Sequence, residues 1–209
     1  MPSPAPRSTE KKPSRIQIRN RRIILDAALD VFSRHGFRGS TLDQIAEAAG
    51  LSKPNVLYYF EGKEAIHEEL LQALMSEWLA PLNAMDPDGD PLEELIGYIR
   101  RKMEMSQTYP RESRLFAGEI IQGAPRMGPH LSVGLKPLFD DKCALIQGWM
   151  DAGKLAPTDP GHLIFSIWAV TQHYADFGTQ VEVLMPDKTR AQAGAMQHVE
   201  QMFRKLLRP

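Results

Sequence analysis

The 209-residue chain has a single cysteine, Cys143, so it cannot build an internal disulfide framework and is expected in a reducing compartment. It lacks a long apolar run: stretches such as 163–170 are too short and too interrupted to span a bilayer. Polar and proline-rich residues stand at the start, where a secretory leader would need an apolar run; together with the lone thiol this predicts a cytoplasmic protein. No stretch alternates at period two for long enough to make a strand, and no repeat of fixed length is visible. Catalytic signatures are missing too. The six histidines (His35, His67, His130, His162, His173 and His198) are scattered, with no HExxH, paired CxxC or glycine-rich phosphate loop, so neither a metal, an organic cofactor nor an enzyme is expected. His173 beside Asp176 invites a general-base reading, but without a nucleophile motif it is more simply a polar residue on a packed helix. Asp140 and Asp141 are neighbours in sequence and so face different sides of a helix, as solvated charges. Cys143 reads as a small core residue. The segment DPDGDP from Asp86 resembles a calcium loop only briefly. Its glycine is out of place and its twelfth position is Gly97 instead of a bidentate glutamate, which leaves a turn between helices.

What is present is helical. Leu42, Ile45, Ala46 and Ala49 recur at helical period; Ser40 or Thr41 is the expected N-cap, with Asp43 or Gln44 three residues on, and Gly50 ends the segment. Ser52 then caps a second helix with Pro54 in its first turn and Val56 and Phe60 on a buried face. Lys53, Asn55, Tyr58 and Tyr59 are left to solvent or to a partner. A helix, a glycine turn and a second helix with exposed donors make a helix-turn-helix, whose second helix can enter a DNA major groove. Lys53 or Asn55 is expected to read base edges, while Thr41, Tyr59 and Lys63 mainly hold phosphates.

The net charge of −1 hides an asymmetry that favours this reading. Residues 1–63 carry 11 Lys+Arg against 6 Asp+Glu, a balance of +5, and residues 64–209 carry 14 against 20, a balance of −6. The positive excess lies where a phosphate backbone would be met. Residues 1–14 are too polar to order themselves and are expected to form a basic arm, either a solubilising tail or a groove binder. Arg7, Lys11, Lys12, Arg15, Arg19, Arg21 and Arg22 are its candidate phosphate contacts.

A first helix carries Ile24, Ala28, Val31 and Phe32 on one stripe and ends at Gly36. Beyond the helix-turn-helix, proline and glycine punctuation places helices at about 63–84, 91–108, 111–122, 129–152, 160–178 and 188–207, giving an all-α chain of about nine helices. Domains are expected at 15–63 for DNA binding and 64–209 for ligand binding and dimerisation. Stripes on the last two long helices, Leu163, Ile167, Val170 and Tyr174 with Met196, Val199, Phe203 and Leu206, would either pair with a second copy as a four-helix interface or close the subunit's own core.

The run FRGSTLDQIAEAAGLSKPNVLYYFEGKEAI resembles the TetR family of transcriptional regulators, through Phe32, Gly36, Phe37, Thr41, Ile45, Ala46, Gly50, Ser52, Tyr58, Phe60 and Lys63. The resemblance implies a homodimer that places two recognition helices in successive major grooves of a palindromic operator, above a helical ligand domain. Leu57 stands where many members have a phosphate-contacting tyrosine, so that contact passes to Tyr58 or Tyr59, and Ser40 and Ser52 join the candidate DNA residues. WLAPL (78–82), YPRESRLFAGEI (109–120), LIQGWMDAGKLAP (145–157) and HLIFSIWAVTQHYADF (162–177) resemble the pyrimidine-responsive regulators of this family, which implies uracil or thymine as effector.

A flat ring of alternating donors and acceptors needs aromatic walls and groups that both donate and accept. Trp78 and Trp168 offer the faces, Gln172 an amide edge one turn from Trp168, and Thr171 a hydroxyl. Arg114, Glu119 and Tyr174 are further lining candidates. The alternatives are that these tryptophans fill core and Gln172 serves an interface, that the effector is a different planar or apolar molecule, or that the chain is a helical interaction module without DNA binding.

Overall fold

The computed structural model describes residues 14–209, so the expected arm at 1–14 falls almost wholly outside the described residues. Every regular element among them is helical. Helix α1 (Arg15–Gly39) starts where Ser14 and Gln17 close a reciprocal capping box. Its helical geometry ends at Gly36, whose φ of 67° is left-handed, and Phe37–Gly39 turn on into α2 (Leu42–Ala48). Helix α3 (Lys53–Tyr59) follows, then α4 (Lys63–Asn83). Ile24, Ala28, Phe32, Ile45, Val56 and Phe60 meet Ile66 and Leu71 of α4 in one apolar cluster, so the small head and the long helix share a core.

The turn at 86–90 closes on itself, with Asp86 accepting from the Asp88 amide and Asp90 capping α5 (Pro91–Thr108). Helix α6 (Pro110–Ile121) packs against α1, pinned by Arg111 to Asp26 at 2.9 Å. The body is therefore fastened to the head by α6 as well as by α4.

The expected helix at 129–152 is one run with a defect in its middle: α7 (Gly128–His130), a π-helical segment Leu131–Leu135, and α8 (Lys136–Asp151). The cause is local. Pro137 has no N–H to continue the α ladder, and the Lys136 amide reaches back five residues to the Leu131 carbonyl. Helix α9 (Pro160–Asp176) stops at Phe177, and a short α10 (Gly178–Leu184) that the punctuation did not suggest precedes α11 (Lys188–Leu207).

Helix α5 lies between α9 and α11. The residues of the stripes proposed for dimerisation divide. Leu163, Ile167, Val199 and Phe203 are buried against Leu95, Ile99 and Ile146 in the subunit's own core, the second of the two roles open to them. Val170, Tyr174 and Met196 are half-buried and Leu206 is exposed, and further exposed apolar surface lies at Phe165 (51% exposed), which stacks on Phe139 with ring centroids 5.2 Å apart, and at Phe177 (57%). Cys143 is half-buried against the same core, and burial raises its thiol pKa.

Candidate DNA interface and effector cavity

The head is built by short-range chemistry. The Thr41 hydroxyl accepts from the Gln44 amide at 3.2 Å while the Gln44 side chain accepts from the Thr41 amide at 2.8 Å, so Thr41 and Gln44 form the capping box of α2. Gly50, with φ of 63°, makes the turn, and Ser52 accepts from the Asn55 amide at 3.4 Å to start α3. The outward face of α3 carries Ser52, Lys53, Asn55, Leu57 and Tyr58, all exposed. Lys53 reaches Asp43 of α2 at 2.9 Å; both side chains are largely open to solvent, so the pair is weak and free to open for another anion. The Asn55 side chain makes no hydrogen bond among the described residues, which leaves its amide available to a base edge.

The other candidates divide differently. Tyr58 is exposed, but its hydroxyl accepts from Gln17 at 3.3 Å. Tyr59 is half-buried and accepts from Asn20 at 2.9 Å, so the two tyrosines brace α3 on α1. Ser40 is buried, donating to the Gly36 carbonyl at 2.6 Å, and its hydroxyl has no path to a phosphate. Lys63 is also turned inward: its ammonium donates to the carbonyls of Phe37 (3.0 Å) and Ser40 (2.8 Å) and sits 4.4 Å from the centre of the Phe37 ring. It ties up the end of α1, a job the phosphate reading did not foresee. Arg21 is engaged as well, with the Glu69 carboxylate, the Tyr59 carbonyl (3.0 Å) and the Phe60 ring (4.2 Å), whereas Arg15, Arg19 and Arg22 stay exposed.

Phe37 is where head and body meet. Its ring is flanked by Phe32 and by His67 of α4, and the Arg126 guanidinium lies 3.5 Å from its centre. Arg126 belongs to the loop after α6 and is held by Glu119, which accepts from the Arg126 amide at 2.7 Å, the Met127 amide at 3.3 Å and the Arg126 side chain at 3.5 Å. Glu119, a candidate ligand residue, is thus a buried brace for this loop. His67 is buried with its Nδ1 unpartnered, and burial lowers its pKa to about 4, so it is a neutral packing group at ordinary pH.

Along α4 from this junction lies a cavity of about 60 Å³. Leu74, Met75, Trp78 and Leu79 line it from α4, Phe116 from α6, Leu135 from the π segment, and Trp168 and Gln172 from α9. From α5 come two residues that sequence reasoning missed, Tyr98 and Lys102. The Trp168 indole donates to the Tyr98 hydroxyl at 2.6 Å, and burial raises the phenol's pKa, keeping it neutral. Lys102 is 4% exposed, with its ammonium 4.3 Å from the centre of the Trp78 ring, and burial lowers its pKa to about 8. A pattern could have flagged it: Leu95, Ile99, Lys102 and Met103 share the buried stripe of α5.

Of the seven candidate ligand residues, Trp78, Trp168 and Gln172 reach this cavity together. Thr171 is buried and donates its hydroxyl to the Ile167 carbonyl at 2.8 Å. Arg114 and Tyr174 line a different cleft, beside Gln107, Thr179 and Gln192. Asp176 takes a 2.5 Å hydrogen bond from Ser113 while His173 stacks on Phe177, so the two form no catalytic pair.

Residues 24–70 match the family model for bacterial regulatory proteins of the tetR family, and residues 71–209 match that for the YcdC-like protein C-terminal region. The chain is 50% identical over 196 residues to the HTH-type transcriptional regulator RutR of Escherichia coli (strain K12), covering 94% of this chain and 92% of that protein. It is 26% identical over 132 residues to the negative transcriptional regulator IcaR of the Staphylococcus aureus biofilm operon icaADBC, covering 56% and 68%. Among solved structures, AibR in complex with isovaleryl coenzyme A and operator DNA superposes with a TM-score of 0.72 at 17% identity, covering 88% of this chain and 97% of that one. The ketosteroid transcriptional regulator KstR2 of Mycobacterium tuberculosis gives 0.69 at 17%, covering 97% and 100%. The chain belongs to the TetR family of bacterial regulatory proteins and is a DNA-binding transcriptional regulator.

Proposed function

We propose that the chain is a cytoplasmic, homodimeric repressor without enzymatic activity, released from a palindromic operator when uracil or thymine enters the cavity between α4 and α9. The observation that carries the reading is the convergence of two indole faces, Trp78 and Trp168, with the Gln172 amide and the Lys102 ammonium around one apolar space. Indoles stack on a flat ring, and the amide and ammonium supply the polar edge that a pyrimidinedione needs. Residues 15–63 form the DNA-binding unit, with Lys53 and Asn55 reading bases and Thr41, Ser52 and Tyr58 near phosphates. Residues 64–209 hold the effector and the partner subunit, and Phe139 and Phe165 supply the apolar surface of α8 and α9 that a second copy would cover.

Relief of binding follows from where the cavity lies. Trp78 lines it from α4 and Trp168 from α9, so a ring seated between them bears on both helices. A ligand that binds one conformation and not the other shifts the equilibrium toward it. Trp78 and Lys63 are both on α4, about 22 Å apart at the helical rise. Displacement at the tryptophan therefore reaches the end of α1, and the separation of the two recognition helices changes with it.

The test is an operator-binding titration with and without uracil, repeated across salt concentrations. Uracil should weaken binding, and added salt should weaken it steeply. Operator affinity that ignores every pyrimidine would remove the effector assignment and leave the family intact.

A further inference from the structure

Lys102 is a buried cation without a counter-ion: among the described residues its ammonium makes no hydrogen bond or salt bridge, and the Trp78 face is its nearest favourable neighbour at 4.3 Å. Burial of such a group is costly unless something completes it. The other walls of the cavity are apolar or neutral, with Trp78 and Leu79 from α4, Phe116 from α6, Tyr98 beside Lys102 on α5, and Gln172 from α9. The charged group acting on it is Asp176 of α9, whose own field is shared with Ser113, Arg114 and His173. The carboxylate raises the ammonium's pKa, but burial outweighs it.

We infer that Lys102 sets the chemical class of the effector: a cyclic imide whose carbonyl oxygen meets the ammonium and whose N–H gives up its proton on binding. This rests on the effector reading above. In a low-dielectric cavity a cation stabilises an adjacent oxyanion far more than water does, and deprotonating an imide spreads negative charge onto its two flanking oxygens. An aminopyrimidine such as cytosine can offer the ammonium a carbonyl oxygen but has no imide N–H to give up, so it forms no oxyanion there.

The protons balance in two ways. Below the pKa of Lys102, the neutral imide and the ammonium give an imidate–ammonium pair, and one proton leaves to the buffer. Above it, the proton passes from the imide to the neutral amine, and none is released. Affinity should therefore rise with the acidity of the imide, and heat of binding at neutral pH should depend on the buffer.

The experiment is calorimetric titration of the full-length protein with uracil, 5-fluorouracil and cytosine at pH 7 in phosphate and in Tris, whose ionisation heats differ. Lys102→Met and Lys102→Gln would be measured beside the wild type, with urea unfolding as the check on folding. 5-Fluorouracil, the more acidic ring at nearly the same size, should bind several-fold tighter than uracil, cytosine should bind more weakly than either and release no proton, and both imides should release a proton. Both variants should lose the ranking and the buffer dependence. Equal affinities for the two imides with no buffer dependence would overturn this inference alone, as would a variant that keeps the wild-type ranking. No heat with any pyrimidine would overturn the effector reading and this inference with it.

Discussion

Replacing Lys102 with methionine should make the protein more stable and less responsive at once. The lysine pKa falls from its ordinary 10.5 to about 8 on burial. At about 1.4 kcal/mol per pH unit, keeping this ammonium charged costs the folded state about 3 kcal/mol at neutral pH. Because the folded pKa lies below the unfolded one, the folded state binds fewer protons between pH 8 and 10.5. The cost is therefore full below about 8 and disappears as pH rises through 10.5. Methionine matches the unbranched shape without the charge, so the change opens no cavity. Urea unfolding should show the variant about 3 kcal/mol more stable than wild type at pH 7, which is about 6–12 °C in melting temperature for a chain of this size. The gap should close by pH 10.5. Only the difference between the two proteins at each pH is diagnostic, since other lysines and tyrosines titrate in the same range. A variant less stable at pH 7, or a gap that does not change with pH, would refute the view that this ammonium is a strained group held for a ligand.

Arg126→Ala removes the guanidinium over Phe37 while Glu119 keeps its two backbone donors, so thermal unfolding should report a loss of about 1–2 kcal/mol. The ratio of operator affinities without and with uracil should shrink while uracil affinity holds, and an unchanged ratio would show that α6 carries no coupling. Lys63→Ala leaves the Ser40 carbonyl without its donor and the Phe37 carbonyl with only the long bond from the Ser40 amide; unfolding should register about 1–3 kcal/mol, and binding to all DNA sequences should weaken alike. Lys53→Ala and Asn55→Ala should leave stability within about 0.5 kcal/mol. Each should relax sequence preference in a binding-site selection, by about 1–3 kcal/mol for every base its side chain reads, and preserved preference in both would move base reading to other residues of α3.

Local signals made much of the fold legible. A hydroxyl three residues ahead of Gln44, a glycine after Ala49, a serine two residues before Pro54 and the proline at the head of α5 act over one turn or less, and the backbone obeys them. The π segment escaped because its cause is a subtraction: Pro137 withholds one N–H, which a periodicity reading does not register. Glu119 and Arg126 were opaque for another reason. Their roles are set by Phe37, which lies far from them along the chain, and nothing at either end of that contact announces the other.

Lys63 and Lys102 show how far a residue's chemistry depends on burial. By type and place Lys63 is an ordinary phosphate contact and Lys102 one more charge in the run RRKMEM. In the structure Lys63 finds two carbonyls and becomes part of the scaffold, whereas Lys102 finds a π face and little else. Completed, the first charge stiffens the joint between head and body; uncompleted, the second leaves free energy for a ligand to recover. The two lie on neighbouring stretches of one path, since Trp78 touches Lys102 and shares α4 with Lys63. On the proposed effector reading, a ligand that neutralises the buried ammonium competes with the Trp78 face for it, and the helix that carries Trp78 also holds the end of α1 through Lys63.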